Sequence, residues 1–374
     1  MELLYLHFSF FFTASVSSAE LKIDSVYPTI GELDKEMQVT MRGTGFDNVE
    51  RIVMSLDVAN EKDIIGSADI FGTDIELVDN IAYVPNCTGI NVLDVSDPVQ
   101  PVLLGKLDYS NGCSAEKGVK LSGNTAYIGD WDGRYCLRIV DISNKKNPVL
   151  ISTLELSDEI EEIDVFGNTV YVANKGMGLL IVDVTNRSNP SIIGRLDSLS
   201  RTSAVRVNES AAYVADKYDV YIVNIDNPAK PQIISSLNLN WAYVNDIEID
   251  QNRAYLATSD GLKIVDIRNK LSPVLIGTLD FDYTTKIALS GNRAYVAALE
   301  SGIYVIDISD PSIPAIVGSI DTPSHILGFA VSNRYAYTVG SGFQIVDVFN
   351  PSPSPIFSSI ATSAPESLFI NPAI

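Results

Sequence analysis

Histidine is almost missing from this chain of 374 residues, which carries only His7 and His325. A Ser-His-Asp or Cys-His relay needs an imidazole, so any such scheme would have to run through one of these two. Cysteine is scarce as well. Cys87, Cys113 and Cys136 are too few for a disulfide framework, and no C-x-x-C occurs. One bond with one thiol left over is the most they allow, and three small buried residues is the plainer reading. With so little His and Cys, a zinc site built from them is not expected. Basic residues are outnumbered, 26 Lys and Arg against 47 Asp and Glu, for a formal net charge of −21. Nucleic acid is a poor partner for such a surface, because phosphate binding needs a basic footprint. A solvated acidic surface accounts for the charge, with a cation-dependent partner as the alternative. There is no run of 18 apolar residues, hence no ordinary transmembrane helix. No G-x-S-x-G, Walker-type loop or strand-following G-x-G-x-x-G is present either.

The first 19 residues differ from the rest. Leu3 to Val16 is mostly apolar and aromatic, and Ser17-Ser18-Ala19 offers small residues before Glu20. This resembles a secretory signal, although Glu2 stands where Lys or Arg is usual. A secreted, periplasmic or cell-surface location is the expectation, and a buried N-terminal strand the alternative.

What the chain has in abundance is repetition. Tyrosine occurs in an [AV]-Y-[VILT] setting at Tyr83, Tyr127, Tyr171, Tyr213, Tyr255, Tyr295 and Tyr337, at steps of 44, 44, 42, 42, 40 and 42 residues. Such a period, with several short strands in each unit, is the mark of a propeller array. Around each tyrosine four β signals recur in one order. An alternating segment such as Ile163-Asp164-Val165 comes first, then a turn such as Gly167-Asn168, then the tyrosine strand. A third strand follows, as in Leu179-Leu180-Ile181-Val182-Asp183 or Leu262-Lys263-Ile264-Val265-Asp266. Its β-branched run without helical periodicity indicates burial on both faces. In six units a proline lies seven residues past the closing Asp or Asn, from Pro101 to Pro314. Lacking an N–H, it belongs at the start of the outermost strand, which runs on as in Leu275-Ile276-Gly277-Thr278-Leu279.

Seven units of four strands predict an all-β, seven-bladed β-propeller. The L-x-I-V-D core and its D-x-[SDN]…P turn resemble the LVIVD-repeat family, over residues from about 64 to 360. That resemblance implies propellers on secreted or surface proteins and no established enzymatic activity. Ring closure has two candidate outer strands, Ile64 to Asp69 and Ile356 to Ile360, and Ser367 to Asn371 matches the start of a further inner strand. An eight-bladed ring closed by shared terminal strands is therefore the alternative. Upstream, Val26-Tyr27-Pro28 and Val39-Thr40-Met41-Arg42-Gly43-Thr44-Gly45-Phe46 resemble the opening half of an immunoglobulin-like TIG domain. The full fold needs about twice the available length. The expected organisation is a signal over 1–19, a TIG-like β segment over 20–60, the propeller over 61–361 and a tail over 362–374.

Carboxylates are the remaining source of chemistry. Asp74 and Glu76, then Asp158, Glu159, Glu161 and Glu162, then Asp246 and Glu248 cluster at the starts of the first, third and fifth inner strands. Paired acids suit glycosidases and lyases. Register suggests another role. One inner-strand position reads Glu76, Lys120, Asp164, Arg206, Glu248, Ala288 and Ala330 through the units. The sign alternates over five blades, so each acid is expected to meet a base next door in a ring around the axis. Asp130-Trp131-Asp132-Gly133 has the opening of a Ca²⁺ loop without its distal Glu, and reads better as an extended hairpin turn with Asp130 and Asp132 as weak ligands. Trp131, Tyr135, Trp241 and Tyr243, with His325 in a loop before the seventh inner strand, form a candidate contact patch for a protein or glycan. No cofactor is required, and a monomer or part of a larger surface assembly is expected. The leading expectation is a non-catalytic interaction or ligand-binding scaffold; the alternative is a lyase or glycosidase using carboxylates or Tyr in the central channel.

Overall fold

The computed structural model describes residues 64–349 apart from positions 87, 110–117, 132–133, 209–210, 299–301, 323–324 and 341, together with strands 7–11, 22–27, 39–44, 53–57 and 368–370. Its described residues contain strands and turns and no helix. The chain divides into two units. Glu61–Pro351 forms one, and Met1–Asn60 with Ser352–Ile374 the other.

The larger unit is a ring of seven four-stranded antiparallel sheets. Blade 1 takes Glu76–Val78, Ile81–Asn86, Gly89–Asp94 and Val102–Asp108 in that order from axis to rim. The next five blades repeat the order without exception. Blade 7 is composite. Gly328–Ser332, Tyr335–Val339 and Phe343–Asp347 are completed by Ile64–Ala68, the first strand of the unit, as outermost member. Phe343 pairs with Ala68 and Ile345 with Gly66. The first strands of neighbouring blades pack on one another all the way round, blade 7 against blade 1 included. This sets aside the eight-bladed alternative: Ile64–Ala68 fills the one outer position that blade 7 lacked. The stretch from Ile356 to Ile360 lies outside the described residues. Leu368–Ile370 is not an inner strand of a further blade; it pairs with Val39–Thr44, which also pairs with Lys22–Tyr27. In the same smaller unit His7–Phe11 pairs with Val53–Asp57, and the remainder of the signal-like segment lies outside the described residues.

The tyrosines explain how the blades stack. All seven are buried, none more than 4% exposed. Each belongs to a hydrophobic cluster shared by its own blade and the following one, which also holds the small residue that precedes the following blade's tyrosine. Tyr83 shares a cluster with Ala126, Tyr127 with Val170, Tyr171 with Ala212 and Tyr213 with Ala254. Tyr255 goes with Ala294, Tyr295 with Ala336 and, across the closure, Tyr337 with Ala82. The recurring dipeptide is thus a knob beside a socket: a large ring for one neighbour and room for the ring of the other. Burial of a side chain this size contributes roughly 1.5–3 kcal/mol at each seam.

Rim contacts repeat too. The Asp or Asn that closes every third strand turns its side chain back to accept the N–H two residues on, as Asp94 does from Ser96 (2.9 Å) and Asp183 from Thr185 (2.8 Å). This local bond nucleates the turn into the outer strand. Outer strands then touch the next blade's turn through a residue that is Gly or Ser. A Cβ on Gly66 would sit 2.0 Å from the Pro98 carbonyl oxygen, so any side chain there would force the turn to move. Ser152 occupies the matching position in blade 2 and donates instead to the Arg187 carbonyl at 2.5 Å.

Candidate functional site: an axial channel of matched charges

The inner strands of all seven blades surround a cavity of ≈ 870 Å³ on the axis. Side chains alternate along a strand, so every second residue shares a face. One set, Ile75, Val119, Ile163, Val205, Ile247 and Ile287, is buried between blades. The other set supplies two polar layers to the channel. Glu76, Lys120, Asp164, Arg206 and Glu248 form one; Asp74, Glu162, Asp246 and Lys286, each two residues upstream of the first layer's position, form the second. Blades 1, 3 and 5 therefore carry an acid in both layers, blades 2, 4 and 6 carry one base each, and blade 7 presents Gly328 and Ala330. In blades 3 to 6 a β-bulge falls just before the second layer, between Ile160 and Glu162, Thr202 and Ala204, Val244 and Asp246, and Thr284 and Lys286. A bulge re-aims the side chains beside it.

Arg206 is the hub. Its Nη1 donates to Glu162 Oε1 at 2.5 Å and its Nη2 to Asp246 Oδ1 at 3.1 Å. Nε and Nη2 both donate to Glu248 Oε1, at 3.2 and 3.1 Å. The guanidinium thus spans three blades, in the planar, forked geometry that lysine lacks. Lys120 Nζ donates to Glu76 Oε2 at 3.3 Å, and Lys286 Nζ stands 3.9 Å from Glu162 Oε1. Asp164 departs from the expected alternation. It lies between Lys120 and Arg206 in the register, yet its carboxylate accepts main-chain N–H groups, from Val165 at 2.8 Å and Val207 at 2.7 Å.

That bond belongs to a rule. Asp74 accepts from Val119 N (2.8 Å), Glu162 from Val205 N (3.1 Å), and Asp246 from Ile287 N (3.0 Å). In every case the amide is one residue past the acid's own equivalent in the next blade. The inner strand has no further strand on its axial side, so its N–H groups lack a ladder partner there. The acids of the odd blades supply one, and they stitch each odd blade to its successor.

Burial sets the protonation of these groups. Desolvation pushes Glu162 up to about 7, against the pull of Arg206. Glu76 is raised for the same reason, with Lys120 working against it. Burial works to lower Lys120 and Arg206, and their acidic neighbours, Glu76 and Glu162 first, carry both above their ordinary values.

The candidate loop residues are spread over blades 2, 5 and 7. Trp131 and Tyr135 are opposed in the second-to-third-strand hairpin of blade 2, whereas Trp241 and Tyr243 lie at the entry to blade 5. Trp241 is 79% exposed and packs edge-on against Tyr218, ring centroids 5.1 Å apart; Tyr243 meets the same ring at 6.3 Å. His325 is exposed on the entry loop of blade 7. Asp130 is buried, and its carboxylate accepts from Arg138 Nε, which accounts for that acid without an ion. Asp132, Cys87 and Cys113 lie outside the described residues; Cys136 is buried beside Asp130. Among the described residues no three His, Cys, Asp or Glu side chains group as a metal site. Nor is any helix among them long and apolar enough to cross a membrane.

The LVIVD-repeat model matches seven segments, residues 72–108, 115–155, 160–198, 201–238, 242–280, 283–322 and 328–362. The chain belongs to the LVIVD-repeat family. Each of the first six matches begins at or shortly before the inner strand and ends at or just past the outer one, so one LVIVD repeat corresponds to one blade; the seventh match supplies the three inner strands of blade 7, which Ile64–Ala68 completes. No curated protein matches the chain. Solved structures similar to it include the computationally designed Ika8 protein, at 15% identity and TM-score 0.57, covering 89% of this chain and 98% of that one. The Cps50 (Swd1) β-propeller domain of Myceliophteria thermophila gives 10% identity and TM-score 0.63, with 76% and 99% covered. A chain of the mitotic checkpoint complex gives 14% and 0.60, with 77% and 94% covered. At these identities the likeness is one of fold alone.

Proposed function

We propose that this LVIVD-repeat propeller is a non-catalytic binding scaffold of a secreted or cell-surface protein. The observation that carries the reading is the commitment of the channel acids. A glycosidase or lyase needs a carboxyl group held ready for substrate in an open cleft. Here Glu76, Glu162, Asp246 and Glu248 are matched to Lys or Arg, and Asp74 and Asp164 are taken up by main-chain amides. Such acids hold blades together, and recognition falls to the loops at the mouth of the ring. Export is supported by the apolar stretch from Leu3 to Val16, and the TIG-like pattern before the ring suits a spacer or adhesive element.

The test is an assay of the purified protein for glycosidic bond cleavage, read as new reducing ends and as unsaturated uronate products. The expected outcome is no turnover, in wild type and in Glu162→Gln alike. Turnover that disappears in Glu162→Gln would overturn the scaffold reading and make the channel an active site.

A further inference from the structure

The five-residue link between Gln232–Asn238, the outer strand of blade 4, and Val244–Asp250, the inner strand of blade 5, is built to hold a tryptophan in water. Its two apolar anchors are buried, Leu239 at 3% and Ala242 at 2% exposure, and between them the chain is forced outward. Asn240 and Trp241 both adopt left-handed backbone, φ 52° and 75°. A single asparagine there is ordinary; a tryptophan is not, and its left-handed backbone is held against a conformational cost. The link is nonetheless pinned. Leu239 N donates to the Tyr218 carbonyl (2.8 Å), Ala242 N to the Leu239 carbonyl (3.2 Å) and Val244 N to the Lys217 carbonyl (3.1 Å). Asn240 N donates to Asn238 Oδ1 at 3.0 Å. The indole is thus fixed by its backbone and by the edge-on Tyr218 ring, while 79% of the residue faces solvent. A large apolar ring exposed at a conformational cost, on a link this well tied, is a feature that folding alone does not require.

The surroundings decide what it would hold. A protein hot spot places its Trp among further exposed apolar groups that shut out water. Here the neighbouring apolar side chains, Leu239 and Ala242, are turned into the core, and polar groups remain at the surface. Asn238 Nδ2 is bonded to Asp219 Oδ1 (2.9 Å), and further along the same entry face the Tyr283 hydroxyl donates to Asn245 Oδ1 (3.0 Å). A flat aromatic face with an amide and a carboxylate beside it matches a ligand with an apolar C–H face and a hydroxylated rim. We infer that Trp241, backed by Tyr218 and flanked by Asn238 and Asp219, is a binding platform for a neutral glycan chain. The inference rests on the scaffold reading above and supplies its ligand class.

The experiment uses the full chain on an array of plant, microbial and animal glycans, followed by affinity electrophoresis in soluble β-glucan, xylan and galactomannan. Wild type should bind at least one neutral glycan, and Trp241→Ala should weaken that binding about 30-fold or more, the effect of removing a hot-spot tryptophan. Trp241→Tyr should keep part of it, and circular dichroism should show every variant folded. Absence of binding to every glycan, or binding that Trp241→Ala leaves unchanged, would overturn the inference. The two readings fail separately. Binding accompanied by cleavage sinks the scaffold and keeps the platform; a purely protein ligand keeps the scaffold and sinks the platform.

Discussion

Two belts of side chains run round this ring, one at the blade seams and one at the axis, and they follow opposite rules. At the seams all seven blades use the same residue, a buried tyrosine set against a small neighbour. At the axis no two successive blades are alike: acids on blades 1, 3 and 5, bases on 2, 4 and 6, and neither on blade 7. The seam therefore treats all blades as interchangeable and stabilises stacking as such. The axial belt tells them apart, because an acidic blade takes its main-chain amide from the blade that follows and its basic partners from the even-numbered blades. We read the seam as the source of stability and the axis as the source of order. Buried ionic networks are best attested in that second role, where they specify arrangement more than they stabilise it.

The comparison breaks most sharply at the seam. Tyr213→Ala removes a ring that is fully buried between blades 4 and 5 and should cost about 3–5 kcal/mol, read as a lowered denaturation midpoint. Tyr213→Phe, which loses only a 3.3 Å hydrogen bond from Asn208 Nδ2, should cost about 1 kcal/mol. The axis should be exposed by pH. Glu162 keeps its proton in the folded ring up to about 7, while the unfolded group loses it near 4.5. Between those values the folded state binds more protons than the unfolded one, so stability falls as pH rises. A contribution on the order of 2–3 kcal/mol should vanish over that window, and Glu162→Gln should flatten this part of the profile. Seam variants should leave its slope in place. Smallest is the rim: Asp183→Ala loses the turn bond to Thr185 N and should cost about 1 kcal/mol. Asp183 is held below its usual carboxylate range by its bonds to Thr185, so this contribution is present above the unfolded Asp value and fades as pH falls below it.

Much of the seam was readable before any coordinates, since a tyrosine every 40 to 44 residues needs only counting. The companion small residue stood beside it in six units as Ala and in one as Val170, yet its purpose as a socket for the previous blade's ring shows only once blades are adjacent. The axis was half readable. Registering the units on one position found Glu76, Lys120, Asp164, Arg206 and Glu248; the second layer sits two residues upstream, on the same strand face, and its acids were seen as clusters without a place in the ring. Lys286 lies two residues before Ala288, where that register reads a neutral residue. The signal was the parity of the strand, which puts residues i and i−2 on one side. The bulges at Glu161, Ser203, Asn245 and Thr285 and the main-chain amides that Asp164 and Asp246 capture leave no mark in side-chain identity. Closure was ambiguous for a different reason: two strands fitted one vacancy, and pairing with Phe343–Asp347 selects Ile64–Ala68.

The central claim is that the axial charges are partners of one another and of the backbone. Chemical denaturation of a set of variants measures it directly. Arg206→Met alone leaves Glu162 and Asp246 buried without the guanidinium, with Lys286 their one remaining basic neighbour among the described residues, and should lower stability by about 3–5 kcal/mol. Adding Glu162→Gln and Asp246→Asn to the same chain should recover most of that loss, since the stranded charges are then gone. A triple variant no more stable than Arg206→Met, or as unstable as the three single losses added together, would contradict the account.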